Sequence, residues 1–168
     1  MSGEPPVDVD IEPADADDAD RIADMWVDLA TDQRRHGSHL RPEENRSRIH
    51  ESMLQHAVAD TALVARRAGA VVGFVTYGVE TDAYEQDVTR GIVYNLYVTP
   101  DHRGEGIGSA LLAAAEAELD ADGADAVGLQ AMADNEAARS FYRDHGYTPH
   151  RVELEKAIRT DTLKTDDG

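Results

Sequence analysis

Apolar positions recur along the chain in two rhythms, one of period two and one of period near four. Val7, Val9 and Ile11 alternate with acids, as in a strand with one buried face, and Pro13 stops the run. Ile22, Met25, Trp26 and Leu29 then fall at helical spacing behind Asp17 or Asp18, either of which can cap the first turn. His36-Gly37-Ser38-His39 breaks this helix. A second is expected from Pro42 to His56, with Ile49, Met53 and Leu54 as its apolar stripe. Two β-branched runs, Thr61 to Arg67 and Val71 to Val79, flank Ala68-Gly69-Ala70 and predict a hairpin. After a polar connector from Glu80 to Arg90, Gly91 to Val98 is the strongest strand pattern, ended by Thr99-Pro100. Ile107 to Leu119 places Ile107, Leu111, Leu112 and Ala115 on one helical face, with Gly123 as the stop. Ala126 to Ala131 predicts a short strand, Asn135 to His145 a short helix ended by Gly146, and Val152 with Leu154 a last strand. The order β-α-α-β-β-β-α-β-α-β describes an α/β protein with a mixed sheet and helices on its faces. Residues 1–6 read as a flexible leader, 7–158 as one domain and 159–168 as a disordered tail.

Composition narrows the chemistry. The 168 residues suit one domain with one core, filled mostly by aliphatic side chains. The formal net charge of −18, with lysine only at Lys156 and Lys164, repels phosphate at long range and argues against nucleic acid or anionic membrane as partner. The acids are dispersed along the whole chain, a pattern read as halophilic, since concentrated salt screens such repulsion to a few ångströms. Without cysteine, thiolate catalysis, disulfides and cysteine-ligated zinc are excluded. The acidic N-terminus lacks signal-peptide order, so a cytoplasmic location is expected.

The segment Arg103-Gly104-Glu105-Gly106-Ile107-Gly108 lies between the strongest strand and the clearest helix. Glycines there permit a tight turn and a close ligand, while the helix start offers unpaired N–H groups to an anion such as a pyrophosphate. A plain flexible turn is the alternative reading. Ser109 stands where a dinucleotide fingerprint needs its third glycine, and no Gly-Lys-Ser/Thr ending is present. The ligand is therefore expected to be neither NAD nor a nucleoside triphosphate.

Those same residues match each fixed position of Arg/Gln-x-x-Gly-x-Gly/Ala, and here the chain resembles the GCN5-related N-acetyltransferases, the GNAT superfamily. Leu96-Tyr97-Val98-Thr99-Pro100-Asp101-His102 is similar to the family's lead-in strand. The block from Asn135 to Tyr147 is similar to its Asn-x-x-Ala-x-x-Phe-Tyr-x-x-x-Gly-Phe/Tyr pattern. The resemblance covers roughly Ile11 to Leu154. It implies a central, mostly antiparallel sheet flanked by helices, with acetyl-CoA as acyl donor and no metal.

Residue by residue, the resemblance implies that backbone N–H groups of Gly104, Glu105, Gly106, Ile107, Gly108 and Ser109 hold the pyrophosphate. Leu96, Tyr97 and Val98 pair with the pantetheine arm, and the Val98 region polarises the thioester carbonyl. Asn135 bonds the arm, unless it serves only as a helix N-cap. Tyr142 protonates the departing thiolate, unless it is only a core aromatic beside Phe141. Arg103 and Arg143 meet cofactor phosphate, or else pair with surface acids. The carboxylate bases of two branches of the family are missing, since Ile92 and Gln130 occupy their positions. Deprotonation of the amine is then expected through ordered water, assisted by Glu80, Asp82 or Tyr94.

The first two helices and the Glu80 to Arg90 connector form the acceptor side in this family. Arg34, Arg35, His36, His39, Arg41, Arg46 and Arg48 make a basic island there. They either recognise an acceptor carboxylate or phosphate, or form ion pairs with Glu43, Glu44 and Glu51. The expected activity is direct N-acetyl transfer from acetyl-CoA to a primary amine of a small molecule or peptide; a homodimer is allowed. A non-catalytic coenzyme A sensor is the alternative, and a protein with a merely structural glycine turn is a third.

Overall fold

The computed structural model describes residues 3–81 and 84–159. Five strands form one sheet in the order β1 (Val9–Pro13), β2 (Ala62–Arg67), β3 (Ala70–Val79), β4 (Arg90–Val98) and β5 (Ala126–Gly128). Neighbours are antiparallel except β4 and β5, which run parallel. Parallel neighbours need a crossover, supplied by helix α3 (Ile107–Ala121). Helices α1 (Ala19–Arg34) and α2 (Arg46–Ala59) cover one face, where Ile22, Met25, Trp26 and Met53 pack on Val64, Phe74 and Tyr97. On the other face Ile107, Leu111, Leu112, Ala115 and Leu119 of α3 pack on Val75, Tyr77 and Val93, with Phe141 and Tyr142 of α4 (Glu136–Asp144) at the border. Alternation along β3 divides the layers: Phe74 goes to one core, Val75 to the other.

The β2–β3 hairpin closes through Ala68 at φ 51° and Gly69 at φ 81°. Positive φ at both central positions is the turn whose twist matches the strands it joins. The cap of the first helical segment is Asp15 rather than Asp17 or Asp18. Its side chain accepts from the Asp17 N–H at 2.9 Å, and Asp18 accepts from the Asp15 N–H at 3.0 Å. Asp18 is buried and held by Arg66 at 2.7 Å.

Two expected strands are corrected. The strand expected over Ala126–Ala131 ends at Gly128, because β4 carries a bulge: Thr76 faces Asn95 and Tyr77 faces Val93, so Tyr94 is the extra residue. The bulge bends β4, and the β4–β5 pairing stops at Ile92 opposite Gly128. Val152 and Leu154 form no strand. They stand 75% and 90% exposed in a segment without regular secondary structure that no strand meets among the described residues, so alternation alone had nothing to pair with. Residues 160–168, expected as a tail, lie outside the described residues.

Candidate active site

The site begins where β4 ends. Beyond Ile92 no strand pairs with the β5 side of β4, so the main chain from Val93 to Val98 presents an open edge there. Leu96 and Val98 lean toward the α3 layer, while the Tyr97 side chain is buried under α1, its ring centroid 6.5 Å from that of Phe74. Tyr97 therefore offers no side chain to that edge. The Arg103 side chain folds back onto the strand. Its Nε donates to the Val98 carbonyl at 2.8 Å and its guanidinium lies 5.2 Å from the Tyr97 ring centroid.

Gly104 at φ 81° and Gly106 at φ 89° occupy the left-handed region and turn the loop into α3. Gly108 is ordinary helix. A Cβ there would sit 3.6 Å from Phe141, an ordinary contact, so the backbone conformation does not require glycine at that position. The first helical bond of α3 runs from the Ala110 N–H to the Gly106 carbonyl at 3.0 Å, which leaves the N–H groups of Ile107, Gly108 and Ser109 without a helical acceptor. The Ile107 side chain is core; Ser109 is buried.

Glu105 is the one acid within the loop. Arg67 grips it with two hydrogen bonds, 3.0 Å and 3.1 Å, and also holds Asp8 and the His102 ring. The guanidinium keeps both carboxyls below the ordinary carboxylate range, so the stability they contribute is present above that range and lost as pH falls through their depressed values. The loop's own negative charge is thus partly offset, since one guanidinium is shared between two carboxylates. Nothing in the sequence pointed to Arg67, because the pair spans 38 positions and joins a hairpin to a loop.

Helix α4 supplies the remaining groups. The Asn135 side chain caps it, accepting from the Ala138 N–H at 3.2 Å, and its amide nitrogen has no hydrogen-bond partner among the described residues. The Tyr142 ring lies edge-on to Phe141 at 5.3 Å and to Tyr147 at 5.9 Å. Its hydroxyl makes no hydrogen bond among the described residues, and burial pushes its pKa upward. Arg143 is drawn away to Glu136 at 3.1 Å. His145, unassigned in the sequence although inside the Asn135 to Tyr147 block, bridges the helices. Its Nδ1 lies 2.7 Å from the Phe141 carbonyl and its Nε2 2.9 Å from Ser109 Oγ.

On the opposite face Tyr94 is half exposed, its ring near Gly78 and 6.0 Å from that of His56. Glu80 is engaged by Arg90 at 3.1 Å and by Gln86 at 3.0 Å, and Asp82 lies outside the described residues. Four members of the basic island are ion-paired, though not with Glu43, Glu44 or Glu51, while Arg34 donates to the Leu40 carbonyl at 3.0 Å and Arg41 and Arg48 form no ion pair among the described residues. Arg46 meets Asp24 and Asp20, Arg35 meets Asp32, His36 meets Asp134, and His39 meets Glu155. Helical spacing gives the Arg35–Asp32 pair but could not show the others, since α1 and the segments near 134 and 155 come together only in the fold. Among the described residues no metal-ligand cluster of His, Asp or Glu forms, and no helix is long and apolar enough to cross a membrane.

An open strand edge thus leads into a glycine loop at a helix start, the setting in which the chain matches a family of acyl-CoA-dependent acyltransferases. The chain belongs to the Acetyltransferase (GNAT) family, whose model matches residues 23–147. It is 35% identical over 133 residues to Acetyltransferase SG1711 of Sodalis glossinidius, covering 78% of this chain and 81% of that one. The fold is similar to a GCN5-related N-acetyltransferase from Ralstonia eutropha JMP134, with TM-score 0.71 and 24% identity over 89% of this chain and 98% of that one. It is also similar to an aminoglycoside N-acetyltransferase in complex with CoA, with TM-score 0.69 and 17% identity over 90% and 95% of the two chains.

Proposed function

We propose that the chain transfers acetyl from acetyl-CoA directly to a primary amine of a small molecule or peptide. The observation that carries this reading is the end of β4–β5 pairing at Ile92 and Gly128, beside the glycine loop. An extended amide-bearing arm can take the place of the missing strand along Leu96, Tyr97 and Val98. Its diphosphate then meets the main-chain N–H groups from Gly104 to Ser109, with the adverse charge of Glu105 offset by Arg67. Because the loop follows the C-terminal end of β4, the thioester end points back toward the bulge. A main-chain N–H of the strand, in the Val98 region, stabilises the oxyanion as the amine attacks the acyl carbon. The C–N bond forms and the C–S bond breaks. Tyr142 gives its proton to the departing thiolate, which suits a phenol kept protonated by burial. The chain has no cysteine to carry a covalent acyl intermediate, in keeping with direct transfer. The amine proton leaves to ordered water on the face that bears Tyr94, since Glu80 is committed to Arg90.

The test is thiol release from acetyl-CoA with a panel of primary amines across a range of KCl concentrations, beside a thermal shift with coenzyme A. Turnover with an amine is expected. A shift without turnover for any amine would sink the enzymatic reading.

Two substitutions probe the supports of this site. Arg67→Gln is expected to raise the acetyl-CoA KM several-fold, most at low salt, because Glu105 then faces the diphosphate uncompensated; initial-rate kinetics at two ionic strengths check this. Asn135→Ala is expected to cost about 1 kcal/mol of stability through the lost cap. Asn135→Ser retains the cap, so any rise in KM common to both variants reports the contact with the cofactor arm, and urea unfolding separates the two effects.

A further inference from the structure

Resting on the coenzyme reading above, we propose that His145 is a positioning residue that sets the direction of the Ser109 hydroxyl. The hydroxyl points into the imidazole when the ring is neutral and toward the cofactor diphosphate when it is protonated, so that coenzyme binding tightens at lower pH.

The hydrogen-bond inventory forces the neutral arrangement. The Phe141 carbonyl, 2.7 Å from Nδ1, can only accept, so Nδ1 carries the ring hydrogen. A neutral imidazole has one such hydrogen, which leaves a lone pair on Nε2. Ser109 Oγ, 2.9 Å away, must therefore donate to it. Ser109 is the third residue of α3, and its own N–H lacks a helical acceptor. Side chains lean toward the N-terminus of a helix, so Ser109, buried and bonded to His145, lies within one turn of the loop assigned to the diphosphate. With a neutral ring the one hydroxyl hydrogen is spent on His145.

Protonation reverses the bond. Nε2–H donates, Oγ accepts, and the hydroxyl hydrogen turns outward to a phosphate oxygen. A positive charge is added beside the same anion. Both changes favour a bound diphosphate, and histidine is the side chain that changes charge between pH 5 and 8.

The surroundings leave the ring available for this exchange. The Phe141 ring lies 4.3 Å away, centroid to centroid, and from α3 the facing polar group is Ser109. Glu116 of the same helix is taken by the Tyr147 hydroxyl at 2.8 Å. On α4, Tyr142, Arg143 and Asp144 are the neighbouring charged or titratable groups, Arg143 being held by Glu136 at 3.1 Å, and among the described residues no carboxylate forms an ion pair with the ring.

The test is calorimetric titration of the full chain with coenzyme A from pH 5.5 to 8.5 at fixed KCl, using wild type, His145→Gln and Ser109→Ala. The 3′-phosphate of the ligand titrates in the same range, so the readout is the difference between proteins. Wild type is expected to gain roughly threefold to tenfold in affinity at the acid end relative to His145→Gln. Ser109→Ala is expected to lose most of that gain, which keeps the test open if the histidine variant folds poorly. A purely structural contact would weaken binding equally at every pH; parallel curves for wild type and both variants would overturn the assignment. Failure of all three proteins to bind coenzyme A at any pH would overturn the coenzyme reading itself, and this inference with it.

Discussion

Tyr142→Phe is expected to lower kcat about a hundredfold or more, with the KM for acetyl-CoA close to that of wild type. The ring is held edge-on between Phe141 and Tyr147, contacts that a phenylalanine repeats, so packing and fold survive the change. What is lost is one hydroxyl that bonds to no protein group among the described residues. Departing thiolate has a conjugate acid near pH 8.5, and a donor that stays protonated well above that can supply the proton throughout the neutral range. Burial raises the Tyr142 pKa above its ordinary 10, so the neutral phenol is the form favoured by the fold. The donor is lost only as pH rises through that raised value, and the alkaline fall in the wild-type rate should lie above pH 10. Steady-state kinetics with stopped thiol detection measure both effects. An unchanged kcat in Tyr142→Phe would remove the tyrosine from the proton path.

Gly106→Val is expected to raise the acetyl-CoA KM by about one order of magnitude. Gly106 caps α3 at φ 89°, where an L-residue pays roughly 1–2 kcal/mol and a β-branched one is a marked outlier. A Cβ added there has no atom within 4 Å beyond its chain neighbours among the described residues. Relief of the strain must come from the backbone. Rotating this residue out of the left-handed region redirects the amides of Ile107 and Gly108, the very groups offered to the diphosphate. A tenfold change in affinity corresponds to about 1.4 kcal/mol, the scale of that strain. Gly108→Ala is the informative companion, since its Cβ would sit 3.6 Å from Phe141 without backbone strain. Titration with coenzyme A and a melting curve for each variant decide the matter: equal affinity in Gly106→Val and wild type would show that the amides do not converge on the ligand.

What could be read from the sequence was what local chemistry determines. Apolar runs at Val71 to Val79 and Gly91 to Val98, the helix behind Gly106 and the Asn135 block all fall where expected. The hairpin turn was legible from Ala68-Gly69 because φ is a property of single residues. The early end of β5 was not, because it is set by a bulge on its neighbour at Tyr94. Val152 and Leu154 have the alternation of a strand, yet a strand is a relation between two segments and theirs has no partner. Partners of charged groups were hidden for the same reason. Arg67 with Glu105, His145 with Ser109, and Arg46 with Asp24 join positions separated by 38, 36 and 22 residues, and no short-range spacing encodes them.

The sheet ends on a three-residue strand, and the chain then runs on through residues 148–159 without rejoining it. Such a border invites accretion of further copies, one above another. In the following segment Arg151 precedes Val152, Glu153 separates it from Leu154 and Glu155 follows, so that in-register stacking would set each glutamate against its own image. This exposed stretch lies in water while being unreceptive to fibrous growth.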